Sequence, residues 1–236
     1  MYTDPRGGHN QKTFNKDFFK TWSQEMAYVL GYIYSDGAIE DVRKSSRTCY
    51  IAITSVDYDI LYKIRKSLSS NHNLYVKKQR VNIFPGNRRY LCKQGYILRI
   101  GSKSMFEDLV NLGLTPRKSL TLKFPEVPIE LLRYFIRGYF DGDGCVMVSI
   151  SKGKRMPSIT TVFTCGSLEF LEELNYLLTK ITTSRHKNII HGHHAYQLSY
   201  RKYDSLKILN FMYKNLDEAP FLDRKYDKYQ KYLQTL

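Results

Sequence analysis

The sequence predicts an α+β fold built twice over, each half reading helix, strands, helix, strands, helix about a pseudo-twofold axis. Three observations predict it. The string Val29-Leu30-Gly31-Tyr32-Ile33-Tyr34-Ser35-Asp36-Gly37 recurs as Ile136-Arg137-Gly138-Tyr139-Phe140-Asp141-Gly142-Asp143-Gly144. In both, an apolar helical run ends in Asp-Gly, and the two aspartates are 107 positions apart in a chain of 236 residues. Secondly, the likeness of the halves continues beyond the string, and a long internal period implies repeated architecture. Thirdly, two stretches without Asp or Glu, Ile60 to Phe106 and Leu174 to Tyr203, fall in matching places and carry many Lys and Arg.

The elements follow in order. After the first motif helix, Ala52-Ile53-Thr54-Ser55-Val56-Asp57 leads into a helical pattern over Tyr58–Leu68. Its counterpart, Val162-Phe163-Thr164-Cys165-Gly166-Ser167, leads into Leu168–Leu178. Tyr96-Ile97-Leu98-Arg99-Ile100 precedes a helix reaching Leu112, and Tyr196-Gln197-Leu198-Ser199-Tyr200 precedes one reaching about Leu216. The strands alternate in side-chain type, which turns one face to a core and the other outward. Gln94-Gly95 reads as a hairpin turn within Tyr90–Ile100, and Pro85-Gly86-Asn87 as a second turn. Cys145–Ser151 and Ser158–Cys165 flank a basic loop, Lys152-Gly153-Lys154-Arg155. Pro116, Pro125 and Pro128 make residues 114–128 an extended linker, with Pro128 suited to the first turn of the second motif helix. The expected repeats are 1–117 and 118–236. From Phe221 the tail reads as a closing amphipathic helix with Tyr226, Tyr229 and Tyr232.

Composition narrows the function. Net charge is +15, from 37 Lys+Arg against 22 Asp+Glu, which favours a polyanionic partner. No apolar run approaches the roughly 18 residues of a membrane helix, and the N-terminus lacks a signal-peptide layout. Cys49, Cys92, Cys145 and Cys165 show no C-x-x-C spacing, so neither a zinc knuckle nor a disulfide framework is expected. A cytoplasmic or organellar monomer follows as the expectation. Outward strand and loop positions suit groove reading: Arg43, Lys44, Arg47, Lys78, Arg80, Arg88, Arg99, Lys154, Arg155, Ser158, Thr160, His186, Asn188, Gln197, Ser199 and Arg201. Guanidinium groups match guanine edges and amides match adenine edges. The His191-Gly192-His193-His194 cluster reads as a surface loop near phosphates rather than a zinc site.

The repeated motif carries the chemistry. Ala27, Gly31 and Ser35 share one helix face, as do Gly138 and Gly142, and small residues at that spacing let two helix backbones approach closely. Two such helices packed side by side bring Asp36 and Asp143 together at their C-terminal ends. A carboxylate is unfavourable there because that end of the helix dipole is negative, and a pair is worse unless a divalent cation lies between. Hard oxygen ligands with open water positions suit Mg²⁺. An EF-hand reading of Asp141-Gly142-Asp143-Gly144 fails, because its twelfth position is Lys152 rather than an acid.

On these residues the chain resembles the single-chain, two-motif LAGLIDADG homing endonucleases over nearly its whole length. The resemblance implies that Asp36 and Asp143 are the catalytic, metal-binding carboxylates, with the backbone carbonyls of Ser35 and Gly142 completing the shell. It implies Mg²⁺ as the ion, with Mn²⁺ or Ca²⁺ able to substitute. Tyr34 stands where the first motif's other acid would be, a position the family varies. Lys118 and Lys225, again 107 positions apart, correspond to the family's lysines that steady transition-state charge or order water. The strand-end polar position falls on Ser55 and Cys165, neither a strong base. The implied fold is two αββαββα repeats whose curved antiparallel sheets form a saddle over double-stranded DNA. The implied activity is double-strand cleavage of a long, nearly asymmetric site, leaving short 3′ overhangs. An intron RNA maturase and a non-cleaving DNA-binding regulator are the alternatives.

Overall fold

A computed structural model of the chain describes residues 12–43, 48–150, 153, 156–192, 194–214 and 216–236. Ser23 starts the first motif helix by accepting the Met26 amide on its hydroxyl, and α1 runs Gln24–Asp36. Every residue from Met26 to Tyr34 is buried, the mark of a helix enclosed on all sides. The first half continues with β1 (Gly37–Asp41), β2 (Cys49–Ser55), α2 (Tyr58–Ser67), β3 (Leu74–Lys77), β4 (Arg80–Phe84), β5 (Arg88–Cys92), β6 (Gly95–Gly101) and α3 (Lys103–Asn111). The second half follows with α4 (Leu132–Asp143), β7 (Cys145–Ser149), β8 (Ser158–Cys165), α5 (Leu168–Thr182), β9 (Ile190–His191), β10 (Tyr196–Arg201), α6 (Lys202–Tyr213) and the closing helix α7 (Asp223–Leu233).

The main sheets are ordered β1-β2-β6-β3 and β7-β8-β10-β9, antiparallel throughout and therefore of one topology. Alternation sets their two faces. Ile39, Ile51, Ile53, Leu98 and Ile100 of the first sheet are core residues, as are Ile159, Phe163, Leu198 and Tyr200 of the second.

Between the halves the linker is not simply extended. Lys118–Leu120 forms one 3₁₀ turn, and Pro128 precedes another, Ile129–Leu131, that feeds α4. The Gln94-Gly95 expectation also needs correction. β5 pairs with β4 in a separate two-stranded sheet, while β6 returns to the main sheet between β2 and β3. The hairpin turn is the one at Pro85-Gly86-Asn87, where Gly86 (φ 81°) and Asn87 (φ 56°) supply the left-handed backbone it needs.

α1 and α4 cross with their backbones in contact. A Cβ on Gly31 would lie 2.0 Å from the carbonyl oxygen of Phe135, and one on Gly138 would lie 2.0 Å from that of Tyr28. These two contacts interchange under the 107-residue offset, so the helix pair obeys the pseudo-twofold at atomic detail. Each half also sends a strap across the axis. Residues 117–124 lie on the second half: the Ser119 carbonyl meets Gly166, Lys123 pairs with Glu169 at 3.1 Å, and Phe124 packs on Phe170. Residues 221–224 lie on the first: Lys63 on α2 bonds Asp223 at 2.7 Å and the Phe221 carbonyl at 3.0 Å, and Arg224 bonds Asp57 at 2.8 Å.

Candidate metal centre and nucleic-acid interface

The motif helices end abruptly. The Gly37 amide still donates to the Ile33 carbonyl, and Gly144 donates to Phe140, yet both glycines already have extended backbone and start a strand. A Cβ at either position would collide with the preceding turn, which is why the sequence places Asp-Gly there. The two ends touch: a Cβ on Gly142 would fall 1.9 Å from the Ser35 hydroxyl oxygen and 3.3 Å from Oδ2 of Asp36. Asp36 and Asp143 thus emerge side by side, each reaching solvent on one side and walled by protein on the others. Burial raises Asp36 above the ordinary carboxylate value, against the pull of Lys225, Lys118 and Arg224. Burial, and then the charge of Asp36, push Asp143 up to about 6, against Lys118 and Lys225.

The two lysines arrive on the straps. Lys118 (8% exposed) donates to the carbonyls of Ser35 (3.2 Å) and Gly37 (2.7 Å). Lys225 (3% exposed) donates to those of Phe140 (2.5 Å), Asp141 (2.8 Å), Gly142 (3.4 Å) and Gly144 (2.5 Å). Each ammonium therefore caps the negative end of its own half's motif helix, satisfying carbonyls that a helix terminus leaves unpaired. Burial lowers both lysines, Lys225 to about 8. The Ser35 and Gly142 carbonyls assigned to the metal shell accept lysine protons in this arrangement, each retaining a second lone pair.

The donor set fits a hard divalent cation. Two carboxylates meet at one point, and among the described residues no group of three or more His, Cys, Asp or Glu gathers anywhere. An ion held here would take its remaining ligands from carbonyls, water and substrate oxygens, as Mg²⁺ does. Ser55 and Cys165, neither a strong base, end the strands that follow the motif helices. The Ser55 hydroxyl oxygen accepts from Tyr32 and from the Asp57 amide, both at 3.1 Å, and the Cys165 sulfur accepts from the Ser167 amide at 3.4 Å.

Asp141, the motif's other acid, lies on the buried side. It is 1% exposed and accepts from the Tyr28 hydroxyl (2.8 Å), the Tyr213 hydroxyl (3.3 Å) and the Leu222 amide (2.8 Å). Next to it Arg137, 0% exposed in the middle of an apolar helix, donates to the Met212 and Ala219 carbonyls. The first repeat solves the same positions without charge: Leu30 stands for Arg137, and Tyr34 packs edge-on against Phe135, the counterpart of Tyr28. Asp141 fixes the strap that delivers Lys225, so it positions rather than ligates. Asp141→Ala leaves three donors without their acceptor and removes the carboxylate whose charge offsets the buried Lys225 and Arg137. It should cost about 3–5 kcal/mol of stability, read from urea unfolding, and Asp141→Asn should cost less. An unchanged midpoint for Asp141→Ala would remove that role.

The groove-reading positions separate into groups. Ser158, Thr160, Gln197, Ser199 and Arg201 share the outward face of the second sheet, with Gln197 opposite Thr164 and Arg201 opposite Thr160. Arg99 is outward on the first sheet, bonded to Glu40 at 3.1 Å and lying 3.8 Å over the Tyr50 ring. Lys78, Arg80 and Arg88 are exposed on the β4–β5 hairpin or at its entrance. Two residues lie elsewhere. Arg43 is tied to Asp41 (2.8 Å), which shares the core-facing parity of Gly37 and Ile39, and it leans on Phe106 of α3. His186 meets Asn175 of α5 at 3.1 Å, on the helical side of its sheet. Asn188 is exposed in the connection before β9. Lys44, Arg47, Lys154, Arg155 and His193 lie outside the described residues. The buried Arg137 and the strap-holding role of Asp141, the cross-axis contacts of Lys63 and Arg224, and the separate hairpin escaped the sequence reading. Only Arg137, a charge inside an apolar helix, left a signal there.

Among the described residues no helix is long and apolar enough to cross a membrane. Residues 130–211 match the family model described as a LAGLIDADG-like domain. No curated protein matches the chain. Solved structures do. The chain is similar to the LAGLIDADG meganuclease I-AabMI bound to uncleaved DNA (16% identity, 88% of each chain covered, TM-score 0.53). It is similar to I-DmoI in complex with DNA and Ca (16% identity, 92% of this chain and 99% of that one, TM-score 0.54). It is also similar to the homing endonuclease I-WcaI bound to its DNA recognition sequence (15% identity, 90% of each chain, TM-score 0.55). The chain therefore has the two-repeat fold of the LAGLIDADG meganuclease structures, and its residues 130–211 match the LAGLIDADG-like domain model.

Proposed function

We propose that this protein is a divalent-metal-dependent homing endonuclease that cuts both strands of a long, nearly asymmetric DNA site and leaves short 3′ overhangs. The observation that carries the reading is the carboxylate pair Asp36 and Asp143 at touching helix ends, with a buried lysine held at each end. Asp36 and Asp143 would each hold metal, Mg²⁺ by the chemistry of the donors, and such an ion activates water against one strand and stabilises the leaving oxygen of its phosphodiester. Around it the protein's own groups do the rest. Lys118 and Lys225 stand fixed beside the carboxylates, where their charge steadies the negative charge that develops on the phosphate. The outward face of each sheet offers its own set of side chains. Arg99 and the hairpin arginines contrast with Ser158, Thr160, Gln197, Ser199 and Arg201, so the two half-sites differ in sequence.

The test is a cleavage selection: purified protein and Mg²⁺ with a randomised duplex library, sequencing the cut ends. Discrete cuts on both strands with a short 3′ stagger, absent in EDTA, are expected. Specific retention of DNA without cutting would instead make the chain a regulator, and failure of both would turn attention to structured intron RNA.

Cation binding should depend on pH. With Asp143 at about 6, its carboxyl is charged at pH 7 and mostly protonated at pH 5, so Ca²⁺ affinity measured by calorimetry should fall about tenfold between them. Equal affinity at both pH values would show that this carboxylate is not a ligand.

A further inference from the structure

The two centres are not equivalent. Beside Asp36 lies a cleft of about 270 Å³ lined by Asp57, Lys77, Arg80, Lys93 and Arg224. Lys77 comes from the outward face of β3, Arg80 and Lys93 from the base of the β4–β5 hairpin, and Arg224 from the strap of the other half. Asp57 takes the Nε–H of Arg224 at 2.8 Å and so sets the plane of the guanidinium, which remains half-exposed in the cleft. Among the described residues no acceptor takes its terminal amino groups. Four cations thus converge on a small cleft whose three lining acids are the candidate metal ligand Asp36, the buried Asp141, and Asp57, which orients the arginine. A planar guanidinium whose two terminal amino groups are free presents one edge that matches a phosphate group bidentately.

Among the described residues the second repeat shows no matching set. β9 and β10 are joined by residues 192–195, too few to carry a further two-stranded hairpin like β4–β5. The position two after the strand-end Cys165 is Ser167, whose hydroxyl caps α5 by accepting the Phe170 amide. Arg117, which stands to Lys118 as Arg224 stands to Lys225, is exposed like Arg224 but pairs with no carboxylate among the described residues.

We propose that the cleft beside Asp36 is a phosphate-binding subsite for one DNA strand only, with Arg224 as its anchoring cation. It rests on the reading of the chain as a DNA-cleaving protein. The strand attacked at Asp36 is gripped through its backbone, while the strand at Asp143 has no such hold.

The test uses the full chain, a mixed-sequence duplex of about 30 bp in EDTA, and anisotropy titrations across about 50–200 mM KCl. Arg224→Ala should reduce the slope of log affinity against log salt by about 0.9, the value of one lost phosphate contact, and Arg224→Lys should keep it. Melting temperatures of both variants report whether the fold survives. If the wild-type chain binds DNA and Arg224→Ala leaves its slope unchanged, the subsite is refuted. If the wild-type chain does not bind the duplex, the DNA-cleaving reading falls and takes the subsite with it. On the selected target, strand-resolved cleavage by Arg224→Ala should slow one strand about tenfold or more, the same strand that Asp143→Asn still nicks. Equal slowing of both strands would make Arg224 a structural clasp and overturn the proposal.

Discussion

Asp143→Asn should abolish double-strand cleavage, lowering its rate by at least about a hundredfold, while duplex binding should stay near that of the unmodified chain. The amide keeps the shape of the carboxyl and the Ser35–Gly142 helix contact, but it offers a hard cation no charge. The same substitution leaves the protein as stable or more so at pH 7. Folding raises Asp143 above its ordinary carboxylate value, to about 6, through burial and the Asp36 charge. A group shifted upward binds its proton more tightly when folded. Its stability contribution is therefore present at low pH and lost as the pH rises through about 6. At pH 7 the charged form opposes folding, and the amide removes that opposition. Asp36→Asn should behave likewise, since burial raises Asp36 too. Plasmid cleavage, anisotropy and thermal melting, taken together, check this. Retained double-strand cutting by either variant would sink the mechanism. A large drop in melting temperature would show that the pair serves the fold and not a cation.

Much of this was legible because duplication leaves a signal that no single motif does. Asp-Gly after a helix is ordinarily just a turn, but Asp36 and Asp143, and again Lys118 and Lys225, share one offset. In the structure both lysines bond carbonyls at the ends of the motif helices that carry the aspartates, with Gly31 and Gly138 as the crossing that the small-residue spacing implied. What the sequence hid was partner choice. Alternation in residues 80–100 marks strands correctly yet does not say that β5 pairs with β4 alone. Arg43 and His186 belong to chain ends and connections, where no ladder carries the parity of the neighbouring strand onward. Their side chains follow the nearest polar partner, Asp41 and Asn175. The roles of Asp141 and Arg224 depend on straps that cross the pseudo-twofold axis, and contacts over such sequence distances leave no local pattern.

Gly138→Ala unfolds the helix crossing. On an exposed helix this change would gain about 1 kcal/mol, because alanine is the better helix former. Here the sign reverses. The new methyl would lie 2.0 Å from the Tyr28 carbonyl oxygen and 2.9 Å from the Tyr32 amide nitrogen, both backbone atoms of a helix that has no rotamer to change. Only separation of α1 from α4 relieves the overlap. That separation opens a core in which Tyr28, Tyr32, Phe135 and Tyr139 are essentially fully buried. Overpacking ordinarily costs about 1–3 kcal/mol, and a rigid backbone clash belongs at or above the top of that range. Gly31→Ala meets the Phe135 carbonyl in the same way and should be as damaging, whereas Asn210→Ala on the exposed face of α6 should stay within about 0.5 kcal/mol. Denaturant unfolding of the three variants decides the matter, and an unchanged midpoint for Gly138→Ala would show that the helices do not meet as described. The consequence for chemistry follows from the distance along the helix. Asp143 lies five residues beyond Gly138, about 7.5 Å at 1.5 Å per residue, so helices prised apart at the glycine cannot keep the two carboxylates side by side. Any folded fraction of the variant should bind Ca²⁺ weakly and cut slowly, although no atom of the metal site has been changed.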